Sequence, residues 1–119
     1  MFARIKFELQ NPDRYDSFHE SFIVDAKIEN NGLYRNAHMG FEGSINNDLY
    51  PFVLLTDGKI DYGAYAPDEC RYYTSNIHDH QIQVGEYITV RGYENDGQRN
   101  CEFTFKISQI IRLQANHDQ

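Results

Sequence analysis

Asn100-Cys101-Glu102-Phe103-Thr104-Phe105-Lys106-Ile107-Ser108-Gln109-Ile110-Ile111-Arg112-Leu113 is the stretch that decides the fold. Cys101, Phe103, Phe105 and Ile107 recur at every second position, with Glu102, Thr104 and Lys106 between them. Successive side chains of a strand point to opposite faces, so this pattern is a strand with one greasy and one wet side. Past Ile107 the phase slips: the apolar set continues either as Ile111 and Leu113 or as Ile110 with Arg112. A slip inside one long strand predicts a bulge, the device that bends a strand between two parts of a closing sheet.

Working outward, Tyr87 to Tyr93 reads as the preceding strand, joined to it by a hairpin loop at Asn95-Asp96-Gly97-Gln98. At the other end of the chain Ala3, Ile5, Phe7 and Leu9 alternate with Arg4, Lys6 and Glu8. Asn11-Pro12-Asp13 breaks that strand, and a polar loop runs to about Glu20. Phe22, Val24, Ala26 and Ile28 form the inner face of a second strand. Asn30-Asn31-Gly32 then supplies the positive φ angles of a tight turn. Leu33 to Phe41 returns as a third strand. Gly43 to Asp48 is a loop. Tyr50 to Leu55 is the most apolar run and reads as a strand buried on both faces, with Pro51 at its start or on an edge. Asp57-Gly58 turns the chain into Lys59–Tyr65, Ala66-Pro67-Asp68-Glu69 is a turn, and Cys70–Thr74 is a short strand. About eight short strands with Gly, Asn and Asp turns predict an all-β domain over residues 1–119, with a frayed tail at 115–119. A small antiparallel barrel is favoured over a β-sandwich, because pairing the strongly patterned first and last strands removes exposed edges.

A chain of 119 residues fits one domain. It is 40% hydrophobic and 14% aromatic, with 9 Tyr, 8 Phe and no Trp, enough to build a core without staples. The 18 acids exceed the 11 bases, giving a net charge of -7, which repels phosphate backbones and argues against a general nucleic-acid binder. No apolar leader follows Met1, and no run approaches the roughly 18 apolar residues of a membrane span. Cys70 and Cys101 stand far apart and form neither a disulfide framework nor a C-x-x-C site. A cytoplasmic location is the expectation.

Ile82-x-Val84-Gly85-Glu86-x-Ile88-x-Val90-x-Gly92 is similar to the I-x-V-G-D-x-V-x-V-x-G segment in the β-barrel second domain of elongation-factor-Tu-like translation proteins. The resemblance covers residues 82–92, and the chain has no phosphate-binding G-x-x-x-x-G-K-[ST] loop. It implies a barrel, with Val84, Ile88 and Val90 in the core and Gly85 at a sharp turn, and carries no activity with it.

His78-Asp79-His80 is the candidate metal site. On a strand both imidazoles would share a face, and Glu86 could add an oxygen to a divalent ion. Cupin metal sites also start with H-x-H, but their Glu follows after three or four residues and their Gly after six more. Here five residues separate His80 from Glu86 and five separate Glu86 from Gly92, and Tyr72 stands where an earlier Gly belongs. The pattern fails in register, so the simpler reading is solvated loop histidines without a cofactor. No G-x-S-x-G elbow is present. Cys70 follows Asp68 and Glu69, which oppose thiolate formation. The paired carboxylates sit in or beside turns, where burial does not raise their pKa. No catalytic residue is assigned.

Tyr62, Tyr65, Tyr72 and Tyr73 cluster close together. Residues 42–69 hold Glu42, Asp48, Asp57, Asp61, Asp68 and Glu69 against the single base Lys59. Tyrosine offers a stiff contact surface with a polar tip, and interfaces are enriched in it. The expectation is a non-enzymatic module that docks a basic protein through Tyr62, Tyr65, Asp68, Glu69, Tyr72 and Tyr73, as an immunity or inhibitor-type protein would. Two other classes stay open. One is a metal-dependent barrel enzyme at His78, His80 and Glu86. The other is a single-strand nucleic-acid binder using a basic stripe of Arg4, Lys6, Arg99, Lys106 and Arg112 on the terminal strands.

Overall fold

Alternation along the chain becomes strand pairing in the computed structural model, which describes residues 1–10, 21–34, 38–42, 50–63, 72–93 and 100–113. The strands are β1 (Phe2–Leu9), β2 (Ser21–Glu29), β3 (Gly32–Leu33), β4 (His38–Glu42), β5 (Tyr50–Leu54), β6 (Lys59–Asp61), β7 (Tyr72–Ser75), β8 (Tyr87–Tyr93) and β9 (Asn100–Arg112). Among the described residues the only helical element is a 3-10 turn at Ile77–Asp79. The expected loops and turns at 11–20, 43–48, 66–69 and 95–98, and the tail, lie outside the described residues.

All pairings are antiparallel, and they run β1-β2-β4-β5-β6-β7-β8-β9 and back to β1, with β3 appended to β2. This is the small barrel that the terminal strands imply. β1 lies against β9 from Ala3 opposite Arg112 to Leu9 opposite Phe105, and against β2 from Phe2 opposite Lys27 to Glu8 opposite Ser21. The ring is uneven. Among the described residues the β5–β6 ladder is just Val53–Asp61 and Leu54–Ile60, and the β6–β7 ladder is just Lys59–Thr74 and Ile60–Tyr73.

The phase slip in β9 is a bulge. Lys6 faces Gln109 and Phe7 faces Ile107, which leaves Ser108 as the extra residue. The Ser108 hydroxyl donates to the Lys6 carbonyl at 3.3 Å and ties the bulge to β1. Of the two phases open in the sequence, the structure takes the one with Ile110 packed against the core, and Ile111 is 45% exposed.

The interior is filled by side chains. Phe22 is its hub: it stacks on Phe7 at 4.4 Å and meets Phe105 edge-on at 4.7 Å and Phe52 at 5.9 Å. The series continues from Phe52 to Tyr62 at 5.6 Å and from Tyr62 to Tyr73 at 5.3 Å. Offset and edge-to-face contacts of this kind add about 0.5–1.5 kcal/mol per pair beyond area burial. Ile5, Val24, Leu54, Ile88, Phe103 and Ile107 fill the space around them. One end of the barrel is capped. There Asn30 and Asn31 both take positive φ (53° and 65°) and turn β2 into β3, so the positive φ expected of Gly32 is not used. The hairpin tip is held by the Ile82 amide donating to the Asn31 carbonyl at 2.7 Å. Leu33, Ile77 and Ile82 are buried beneath it.

Several expectations change. The return strand after Asn31 is two strands. A continuous hairpin in the β3 register would bring Ala37 opposite Val24, whereas Gly40 is there. β5 is buried on one face only: Phe52 and Leu54 point in, Val53 is half-buried and Pro51 is exposed. Pro51 pairs with Phe41 of β4, and β6 does not reach its other side, so its missing donor leaves no ladder bond unmade. Val84, placed in the core by the resemblance, is 62% exposed. It sits in the middle of a turn closed by the Glu86 amide donating to the Gln83 carbonyl at 3.1 Å, with Gly85 at φ +95°. The turn interrupts the alternation, and Ile82, Ile88 and Val90 are buried on either side of it.

Two glycines separate two physical causes. A Cβ on Gly40 would lie 2.5 Å from Cζ of Phe52 and 2.7 Å from the Ile23 carbonyl oxygen. Gly85 has open space around it but a positive φ. Gly40→Ala is therefore expected to cost about 1–3 kcal/mol through overpacking. Gly85→Ala should cost about 1–2 kcal/mol through backbone strain, and Gly85→Asn should recover most of that. Urea unfolding of the three variants checks both statements.

Candidate functional site

Among the described residues, two hollows open on the surface of the barrel. The first, of about 220 Å³, is mostly apolar and lies at the thin β5–β6 seam, lined by Pro51, Phe52, Val53, Asp61, Tyr62 and Gly63. The sequence builds it locally. The Asp57-Gly58 turn is present, with the Gly58 amide donating to the Leu55 carbonyl at 3.0 Å and Gly58 at φ +92°. β6 then ends after Asp61, whose carboxylate accepts the Gly63 amide at 2.7 Å. Pairing of β6 with β5 stops there, so among the described residues no strand covers the flank of β5 beyond it. Tyr62 is half-buried, with its ring on both Phe52 and Tyr73.

The second hollow, of about 250 Å³, is polar and is lined by Thr74, Ser75, Asn76, Asp79, Thr89 and Arg91. Asn76 follows β7 and extends its pairing. Its amide donates to the Thr89 carbonyl at 3.2 Å, and its side-chain oxygen accepts the Thr89 amide at 2.8 Å. Register sets Thr74 opposite Arg91 and Arg91 opposite Glu102, and the Arg91 Nε donates to Glu102 at 3.0 Å. Sequence reading missed this cleft. Its members come from two strands and a turn, and only cross-strand register brings them together.

The expected docking residues divide. Tyr62 is on the rim of the apolar hollow. Tyr73 leaves the docking set, because it is 2% exposed and belongs to the core. Tyr72 begins β7 opposite Tyr93, and its backbone alone is described. Tyr65, Asp68 and Glu69 lie outside the described residues, as does Cys70.

The histidines are not on a strand. His78 is inside the 3-10 turn and His80 follows it in extended conformation, so the shared-face argument for two imidazoles does not apply. Both ring nitrogens of His78 are shielded from solvent, which corrects the picture of a solvated histidine there. Glu86 accepts the Gln83 side-chain amide at 3.4 Å. Among the described residues no three His, Cys, Asp or Glu side chains gather as a metal ion needs.

The β1 part of the basic stripe on the terminal strands is neutralised. Arg4 makes a two-pronged bond to Asp25, each contact 2.8 Å, and Lys6 lies 3.5 Å from Glu8. The Lys106 ammonium stands over the Tyr87 ring, 5.9 Å from its centre. Arg99 lies outside the described residues. Paired cations contribute little to counterion release, which weakens the nucleic-acid reading. The Arg4 hydrogen bonds hold the Asp25 carboxyl below its ordinary range.

Among the described residues no helix is long and apolar enough to cross a membrane. The chain matches no protein-family model, no curated protein and no solved structure.

Two measurements follow from this geometry. A carboxyl whose folded pKa is depressed adds stability that is present above its unfolded pKa and is lost as the pH falls through the folded value. Nuclear magnetic resonance titration should therefore place Asp25 below an ordinary aspartate, with Arg4→Gln restoring it. Because the pair is exposed, the accompanying change in stability should be small. Excess zinc or a chelator should leave the melting temperature unchanged. A shift on adding zinc that His80→Ala abolishes would reinstate the metal reading, since a ligand that binds only the folded state raises its stability.

Proposed function

We propose that this chain is a non-enzymatic binding module that docks a basic protein at the end of its barrel where β1 ends and β2 begins, in the manner of an immunity or inhibitor-type protein in the cytoplasm. One observation carries the reading. The meander topology puts the strand ends Leu9, Ser21, Glu42, Tyr50, Asp61, Tyr72, Tyr93 and Asn100 at one end of the barrel. The stretches of sequence that join them hold Asp13, Asp16, Glu20, Asp48, Asp68, Glu69, Glu94 and Asp96 against only Arg14, Arg71 and Arg99. The apolar hollow with Asp61 and Tyr62 on its rim opens at the same end.

Acidic charge gathered at one end steers a basic partner and raises its association rate, while an apolar hollow with an aromatic rim gives an incoming side chain a place to anchor. The filled interior supports the same reading, because an eight-stranded barrel packed with phenylalanines keeps its chemistry on the outside.

Affinity capture from native lysate at low and high salt tests this, followed by titration of the captured protein. The expected result is a stoichiometric basic partner whose association slows about tenfold or more on raising the salt. Asp61→Lys with Tyr62→Ala should weaken binding, and Arg4→Gln on β1, four strands round the barrel from β6, should not. No stoichiometric partner at either salt, or one indifferent to the Asp61 and Tyr62 changes, would overturn the reading.

A further inference from the structure

The C-terminal part of β9 outruns its neighbour. The β8 side of β9 ends where the Gly85 amide donates to the Ile107 carbonyl and the Ile107 amide donates to the Glu86 carbonyl, both at 2.8 Å. Beyond that point β9 is paired only with β1 among the described residues. The Leu113 amide donates to the Phe2 carbonyl at 2.8 Å, so Leu113 and Ile111 turn their backbone groups toward β1. Alternation then turns the backbone N–H and C=O of Ile110 and Arg112 outward, along an open edge.

Several exposed large apolar side chains lie around this edge. Ile111 and Leu113 are 45% and 36% exposed, and Phe2, opposite Leu113, is 60% exposed. Val84 is carried by the turn that docks on Ile107. An open edge flanked by apolar side chains is a template for another strand.

We propose that this edge pairs with the same edge of a second copy, β9 against β9 and antiparallel, about a two-fold axis at Ile111. The geometry is self-complementary. Ile110 of each copy faces Arg112 of the other as a hydrogen-bonded pair, exchanging two bonds, and Ile111 meets Ile111 of the second copy as the close, non-bonded pair. Charge favours a second copy as the occupant. Of the charges nearby, Arg4 is matched with Asp25 at 2.8 Å and Lys27 with Glu29 at 2.8 Å, and the register sets each Arg112 opposite Ile110 of the other copy and not opposite its own counterpart. The acid-rich stretches join strand ends at the opposite end, about 25 Å away by the length of an eight-residue strand and beyond two Debye lengths at physiological salt. Two copies can therefore meet here without bringing their net charges together, and the proposed acidic docking end stays free.

Sedimentation equilibrium of the full chain over a range of concentrations is the test, with thermal unfolding to show that each variant folds. The expected result is a monomer–dimer equilibrium. Arg112→Pro removes an outward donor from each copy while sparing the β1 ladder, and should weaken association about tenfold or more. Ile111→Lys sets two like charges face to face and should do the same, at a position exposed enough for the variant to fold. Asp61→Lys should leave the equilibrium unchanged, which separates this surface from the docking end. A monomer at every concentration, or a dimer indifferent to both β9 substitutions, would overturn the proposal. So would a monomer that associates only after residues 114–119 are removed, since the chain's own tail would then be the occupant.

Discussion

β1 makes ladders along both of its edges, toward β2 on one side and β9 on the other. A strand placed this way has no free backbone groups to satisfy with water, and it fixes how the rest of the sheet curls. Alternation in β1 is strict, with Ala3, Ile5, Phe7 and Leu9 all buried. β9 is longer and must bend to stay on it. The bulge at Ser108 permits the bend, and without it a straight ladder would carry Ile110 to the wrong face while Ile107 stayed inside. Closure thus rests on one inserted residue and the hydroxyl that ties it down.

Inside the ring, burial of Phe7, Phe22, Phe52, Phe103 and Phe105 supplies the driving force, about 1.5–3 kcal/mol for each side chain fully removed from water. Their packing also decides where a small residue must stand. Gly40 lies between Val24 and Phe52 because the Phe52 ring occupies the volume its side chain would need. The thin seam at β6 is the counterpart of this density. There the ladder is short, and a hollow is left on the outer wall.

The barrel, its closure by the terminal strands and the bulge in β9 were legible because each follows from period-two alternation within a few neighbouring residues. The misplacements share a different cause. Tyr72 and Tyr73 are adjacent and chemically identical, so the choice of which faces inward depends on register with Ile60 and Gly92, far away in the chain. The resemblance over residues 82–92 places Val84 in the core and sets the sharp turn at Gly85, whereas the turn already includes Val84. His78 reads from sequence as a solvated loop histidine, and the 3-10 turn that shields its ring nitrogens has no Gly or Pro in Asn76–His80 to mark it. The polar cleft of Thr74, Asn76, Thr89 and Arg91 had no local signal, since its members meet only across strands.

The contact between Ser108 and Lys6 spans 102 positions of sequence. During synthesis β1 leaves the ribosome well before β9 and can pair with β2 as soon as that strand follows, but its second edge stays bare until β9 has been made. Over that interval the nascent chain carries an open hairpin whose outer edge can capture an extended peptide nearby. The alternating charges Arg4, Lys6 and Glu8 stand along that waiting strand, where they discourage premature pairing until the last strand arrives.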